Sequence, residues 1–164
     1  MNSLRPEPLT AESFAPFGHV LEVGDTPDFM INGGRCGRYH DMARPEVIDG
    51  AGQVGLSVGR SDFIDLPLTL DLMERHPLGT QAFVPMDGAR LLVVVAPDVG
   101  GRPGQPRAFL SNGAQGIQYH CNVWHGVLAP LQRPATVLIV DRVGDGNNLE
   151  EFPLPTPYII QPAS

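Results

Sequence analysis

The segment Leu68-Thr69-Leu70-Asp71-Leu72-Met73-Glu74-Arg75-His76-Pro77-Leu78-Gly79-Thr80-Gln81-Ala82-Phe83-Val84-Pro85-Met86 decides the fold. It divides at Pro77-Leu78-Gly79 into two extended runs, Leu68 to His76 and Gln81 to Pro85, since proline and glycine break helices and the first run alternates. Period-2 geometry puts Leu68, Leu70, Leu72, Glu74 and His76 on one strand face. A carboxylate and an imidazole that follow three leucines inward are costly unless they are paired, hydrogen-bonded or bound to a metal. Gln81 and Phe83 share a face of the next strand, and Gly88 closes a hairpin.

Working outward, the chain has the same texture throughout. Nineteen glycines and seventeen prolines among 164 residues leave no amphipathic helical pattern longer than about three turns. Strands are expected at Val54 to Arg60, Leu68 to His76, Gln81 to Pro85, Leu91 to Ala96, Ala108 to Leu110 and Thr136 to Asp141. One minor helix fits Thr10 to Phe17, with Thr10 as its cap. Arg102 to Pro106 reads as a loop, and Gly144 to Asn148 as a turn before a proline-rich tail. Short strands between turn residues point to an all-β barrel or sandwich, with residues 1–164 as a single domain.

Bulk composition narrows the function classes. The net charge of −7 and the absence of lysine disfavour a phosphate-backbone footprint, so nucleic acid is not an expected partner. No stretch approaches the roughly 20 apolar residues that span a bilayer, and the N-terminus lacks the apolar core of a secretory signal. A cytoplasmic protein without a membrane partner is expected. In that compartment Cys36 and Cys121 read as free thiols.

A second polar cluster runs Gly116-Ile117-Gln118-Tyr119-His120-Cys121-Asn122-Val123-Trp124-His125-Gly126. As one straight strand it would send His120, Asn122 and Trp124 one way and His125 the other. Either a turn separates the two histidines or only one enters a site. Trp124 reads as core, His19 as surface, and Asn32 and Asn112 as turn residues. His76, next to Pro77, has a plain alternative as a strand-end ring bonded to a backbone carbonyl. Arg38-Tyr39-His40-Asp41 and Arg60 are candidate anion-binding groups. The inward set beside Arg60 would be Val54, Leu56 and Val58, and an inward arginine needs an acid partner or an anionic ligand.

The order Glu74, His76, Gln81, Gly88 resembles the first motif of the cupin superfamily: two ligands one residue apart, a third five positions later, and a turn glycine seven beyond. His125 matches the last ligand of that pattern. Glu74 and Gln81 stand where His and Glu are usual, and neutral Gln is a weak ligand for a first-row metal. The stretches Leu66 to Thr69, Glu74 to Met86, Phe109 to Gly113, Gln115-Gly116, Tyr119-His120 and Asn122 to His125, with Arg38 to Asp41 and Asp141-Arg142, resemble the ureidoglycolate lyase family. Two departures stand out: Gly126 where a second histidine is expected, and Cys121 where a basic residue is usual.

The resemblance implies a cupin-like double-stranded β-helix barrel with minor helical segments. It also implies a homodimer, a divalent metal described for the family as nickel, and cleavage of (S)-ureidoglycolate to glyoxylate and urea in allantoin and purine breakdown. On that basis Glu74, His76, Gln81 and His125 are expected to hold the metal. His120 or His40 would move the proton, and Arg60 or Arg38 would anchor the substrate carboxylate. Without a metal, Glu74 becomes the base and Gln81 binds substrate. The alternatives are another cupin enzyme, an isomerase or dioxygenase acting on a small hydroxy acid, and a non-catalytic metabolite-binding cupin.

Overall fold

A computed structural model of the chain describes residues 2–163. Its strands are β1 (Asn2–Leu4), β2 (Glu7–Pro8), β3 (Gly18–Leu21), β4 (Phe29–Ile31), β5 (Cys36–Arg38), β6 (Gln53–Ser61), β7 (Leu68–Arg75) and β8 (Gln81–Pro85). They continue as β9 (Leu91–Ala96), β10 (Arg107–Leu110), β11 (Gly116–Tyr119), β12 (Trp124–His125), β13 (Ala129–Pro130), β14 (Ala135–Val143) and β15 (Glu150–Ile160). The helix α1 is short, Ala11–Phe14, and Thr10 caps it by accepting the Ser13 N–H at 3.1 Å. The remainder of the expected helix, to Phe17, is a turn.

Two curled sheets make an all-β, cupin-type barrel. One has the order β1-β15-β7-β12-β9-β10-β2, with β13 added on β9; the other has the order β3-β11-β8-β14-β6. Between them lies a core of Phe14, Phe83, Leu91, Val93, Val95, Phe109, Ile117, Tyr119 and Val137. A second core of Leu70, Met73, Leu92, Val94, Ala96, Trp124 and Ile160 covers the other face of the first sheet. The run Leu91–Ala96 is buried at all six positions because each face of β9 meets one of these cores. Burial of each large side chain there contributes roughly 1.5–3 kcal/mol.

Three expectations need correction. First, Leu70 and Met73 lie in the same core although they are three residues apart, so the side-chain alternation of β7 switches between them. The cause is the partner strand: Leu70 pairs with Tyr158 but Leu72 with Pro153, so Asp71 alone faces four residues of β15. Glu74 therefore does not continue the face of Leu68 and Leu70, and it points into the barrel.

Second, the proline-rich tail is the eleven-residue strand β15. Pro155 and Pro157 fall in the stretch where its ladder with β7 is interrupted, the place where a missing N–H does least harm.

Third, Val54, Leu56 and Val58 face outward, exposed by 49%, 74% and 64%. The opposite face of β6 carries Gly55, Ser57 and Gly59, of which the two glycines are partly buried. A Cβ on Gly59 would lie 3.0 Å from Ile139 Cδ1, so an inward side chain larger than glycine would collide there. Arg60 is exposed with them, reaching Thr136 Oγ1 at 3.4 Å. It needs no acid partner, because water solvates it.

Cys36 and Cys121 are free thiols, and burial raises the Cys121 thiol above its usual range. No helix among the described residues is long and apolar enough to cross a membrane.

Candidate metal centre

The cluster is assembled at one end of the barrel from both sheets. β7 supplies Glu74, and His76 follows at its end; β12 supplies His125, paired directly with Glu74 across the ladder. β8 supplies Gln81, and β11 supplies Tyr119. A turn does separate the histidines: His120 leaves β11, Val123 N–H reaches back to the His120 carbonyl at 3.4 Å, and Asn122 adopts a left-handed φ of 65°, which asparagine tolerates. That reversal carries the chain from the second sheet into the first, and it turns His125 into the barrel.

One ligand atom each from Glu74, His76 and His125 lies within 4.8 Å of the others, close enough to hold a metal ion. The two imidazoles are preset for it. His76 Nδ1 lies 2.7 Å from the Asn148 carbonyl, and His125 Nδ1 lies 2.9 Å from the Gly126 carbonyl. A carbonyl only accepts, so each Nδ1 carries the proton and each Nε2 keeps its lone pair. His76 is thus a strand-end ring bonded to the backbone and also a donor toward the cluster. His76 Nε2, His125 Nε2 and Gln81 Oε1 are buried without a partner among the described residues. They line one void too tight for a water molecule to satisfy them. Lone pairs left in this way beside a carboxylate fit a divalent cation, with imidazole and oxygen donors suited to first-row metals.

Electrostatics agree with that use. Burial pushes the His125 imidazole down to about 4, against the Gly126 hydrogen bond and with help from His76, so it is neutral at physiological pH. Burial raises the Glu74 carboxyl, with His76 opposing and Glu151 adding to the rise. Burial likewise raises the Tyr119 phenol and keeps it protonated, with Glu74 adding to the effect. The Tyr119 ring stacks on His125 at 4.3 Å with the planes 5° apart.

Other expected residues fall elsewhere. His120 borders the void, but its Nε2 bonds the Ala15 carbonyl at 3.1 Å and its ring meets His19 edge-on at 5.0 Å. It also lines a cavity of about 290 Å³ with Asp41, Arg44, Glu46, Gln118 and Cys121. His40 is exposed and packs on Phe29, and the Arg38 guanidinium sits over the same ring. Neither they nor Arg60 line the void. Trp124 is core, as read: it is buried, donates to Asp98 at 2.8 Å and lies under Arg75.

Gly126 faces away from the cluster. A Cβ there would lie 3.4 Å from both Leu70 Cδ1 and Val94 Cβ, in the second core, so the missing histidine would not have reached the ligands. Sequence reasoning missed Asn148, Asp141 and the stacking of Tyr119. Asn148 acts through its main chain, which no motif reveals. Only strand register brings Asp141 beside Gln81.

A sequence model described as ureidoglycolate lyase matches residues 1–161. Among curated relatives, "Ureidoglycolate lyase" of Chelativorans sp. (strain BNC1) is 51% identical over 160 residues, covering 98% of this chain and 97% of the relative. The protein of that name from Rhodobacter capsulatus is 50% identical over 161 residues, covering 98% and 99%. That of Pseudomonas entomophila is 45% identical over 166 residues, covering 99% of each.

Proposed function

The chain belongs to the ureidoglycolate lyase family, and from that premise we propose that it releases urea from ureidoglycolate, leaving glyoxylate, at the cluster of Glu74, His76 and His125. The observation that carries the choice of site is the pair of buried, unpartnered Nε2 lone pairs in a cluster whose third member is the part-buried carboxylate of Glu74. The reaction belongs to the breakdown of allantoin, at the nitrogen-recovering end of purine catabolism.

Ureidoglycolate bears a hydroxyl, a carboxylate and a ureido nitrogen on one carbon. Breaking the carbon–nitrogen bond requires removal of the hydroxyl proton and delivery of a proton to the departing nitrogen. A divalent metal, nickel being the family's, would draw charge from the substrate carboxylate and hydroxyl and lower the hydroxyl pKa. Glu74, His76 and His125 would hold it, with the Gln81 oxygen as a further donor. His120 stands between the void and the cavity of about 290 Å³ that could admit substrate, and its Nε2–H is committed to the Ala15 carbonyl, which leaves Nδ1 as a base for the hydroxyl proton. His40, on the exposed hairpin, has no comparable support. The raised Glu74 carboxyl favours a second assignment in which Glu74 itself carries the proton and Gln81 binds substrate.

The same reading extends to assembly. Residues 1–164 act as one domain, and two copies associate through the outward apolar row of Val54, Leu56 and Val58 on the edge strand β6, which carries no charge before Arg60 to discourage pairing. A soluble enzyme of small-molecule catabolism works in the cytoplasm.

The test is release of urea and glyoxylate by metal-depleted protein, before and after nickel, manganese or zinc is returned, against an enzyme-free control for spontaneous decay. Restoration by a metal, lost in His76→Ala and His125→Ala, supports the metal centre. Full activity after depletion moves the proton step to Glu74, and oxygen consumption without urea would sink the lyase reading.

A further inference from the structure

Gln81 is an amide among donors, and an amide has two unlike ends. Facing the cluster with its oxygen, it adds a lone pair; facing it with its NH2, it would repel a cation and could donate to the His76 or His125 Nε2 lone pair, taking it from a metal. Which end faces inward is therefore a functional question.

The answer lies on β14. Gln81 Nε2 donates to Asp141 Oδ2 at 3.2 Å. A carboxylate is acceptor-only, so it takes the NH2 end and refuses the oxygen end. The oxygen is thereby turned into the void, where Oε1 is buried and has no partner among the described residues. Asp141 is placed for this by register. Val140 pairs with Ala82 across β14 and β8, which sets Asp141 beside Gln81, while its partner on the other side, in β6, is Gly55, with no side chain to compete for the carboxylate. Among the described residues the bond to Gln81 is the one hydrogen bond the Asp141 side chain makes. Asp141 thus holds a polar group whose only visible use is at the centre.

We propose that Asp141 is a positioning residue that locks the Gln81 amide with its oxygen toward the metal centre, and so makes neutral Gln81 an effective donor to a bound cation. The inference rests on the metal-centre reading above. It also supplies a physical reason for Gln at a place where the cupin pattern has Glu. A carboxylate at position 81 would lie beside Asp141 and repel it, whereas an amide converts the neighbouring charge into an orienting contact.

The test is nickel(II) affinity of the metal-depleted full chain, measured by chelator competition, with zinc(II) in parallel. Asp141→Asn keeps the shape but offers an NH2 of its own, which permits Gln81 to flip. Affinity should fall at least about tenfold, as for other groups that orient a ligand, while the melting temperature of the metal-free protein stays unchanged. In a Gln81→Glu background either end of position 81 is oxygen, so the same Asp141→Asn change should cost nothing or raise affinity. Unchanged affinity in Asp141→Asn overturns the proposal, as does an equal loss in both backgrounds, which would assign Asp141 an effect not passing through Gln81. A wild-type protein that takes up neither metal overturns the metal centre itself and this inference with it, a result distinct from the other two.

Discussion

Tyr119 and His125 stack face to face at 4.3 Å, and they come from different sheets: Tyr119 ends β11 in the second, and His125 lies in β12 between β7 and β9 of the first. Five residues of chain connect them, and the turn at Asn122 folds one ring onto the other. The candidate ligand His125 is thus held on one side by Tyr119 and from its edge by the Gly126 carbonyl, in a setting that keeps it neutral.

That neutrality sets a pH dependence. The His125 imidazole titrates at about 4 in the folded chain, against about 6.5 when unfolded. Below 6.5 the unfolded state binds a proton that the folded state refuses, so stability is complete above that pH and is lost as pH falls toward 4, by about 3 kcal/mol at the limit. Glu74, raised in the fold, changes in the opposite sense. His125→Gln, which cannot titrate, should flatten the fall in melting temperature of the metal-free protein between pH 6.5 and 4. Identical profiles for the two proteins would refute this account.

Arg142 anchors the loop that holds His76. Its guanidinium, 1% exposed, bonds Asp49 at 2.5 Å and the carbonyls of Gly144 and Asp145, and the Arg142 partner draws the Asp49 carboxyl down to about 2. Asn148, three residues beyond Asp145, then receives the His76 Nδ1–H and the Leu78 N–H. Arg142→Ala removes a buried guanidinium and leaves the Gly144 and Asp145 carbonyls without their donor, which should lower the melting temperature by about 5 °C or more. Nickel affinity should weaken as well, through the freed His76 ring. Calorimetry together with chelator competition checks both effects.

Leu56, 74% exposed at the middle of β6, is the place to probe association. Leu56→Glu should leave the monomer folded and halve the mass measured by sedimentation equilibrium. A wild-type protein that sediments as a monomer would dismiss the interface.

Gly126→His, which restores the residue expected from the family pattern, should not increase metal affinity. The new ring enters the second core between Leu70 and Val94, and crowding there should destabilise the fold by about 1–3 kcal/mol. A gain in affinity would mean that the strand turns at this position.

Much of this was readable from the residues. The strands expected at Gln81 to Pro85 and Leu91 to Ala96 have those bounds, and the others differ by one or two residues. Glu74, His76 and His125 converge. Alternation in β6, however, separates two faces without saying which is inside, and Val54, Leu56 and Val58 turned out to be on the outside. In β7 the alternation broke at a bulge belonging to β15, so no inspection of residues 68–76 alone would have found it. Arg38, His40 and Arg60 were suggested by chemical type, but only tertiary placement decides which polar side chains reach a site.

The proton on each cluster histidine is fixed by a main-chain carbonyl, of Asn148 for His76 and of Gly126 for His125. Every amino acid carries a carbonyl, so the choice of nitrogen that faces the centre depends on the path of the backbone at residues 126 and 148, and their side chains matter only as far as they keep that path. The tautomer is inherited as shape. A catalogue of side-chain ligands would pass over both contacts, and a designer who transplants this centre must copy two stretches of backbone along with the ligands.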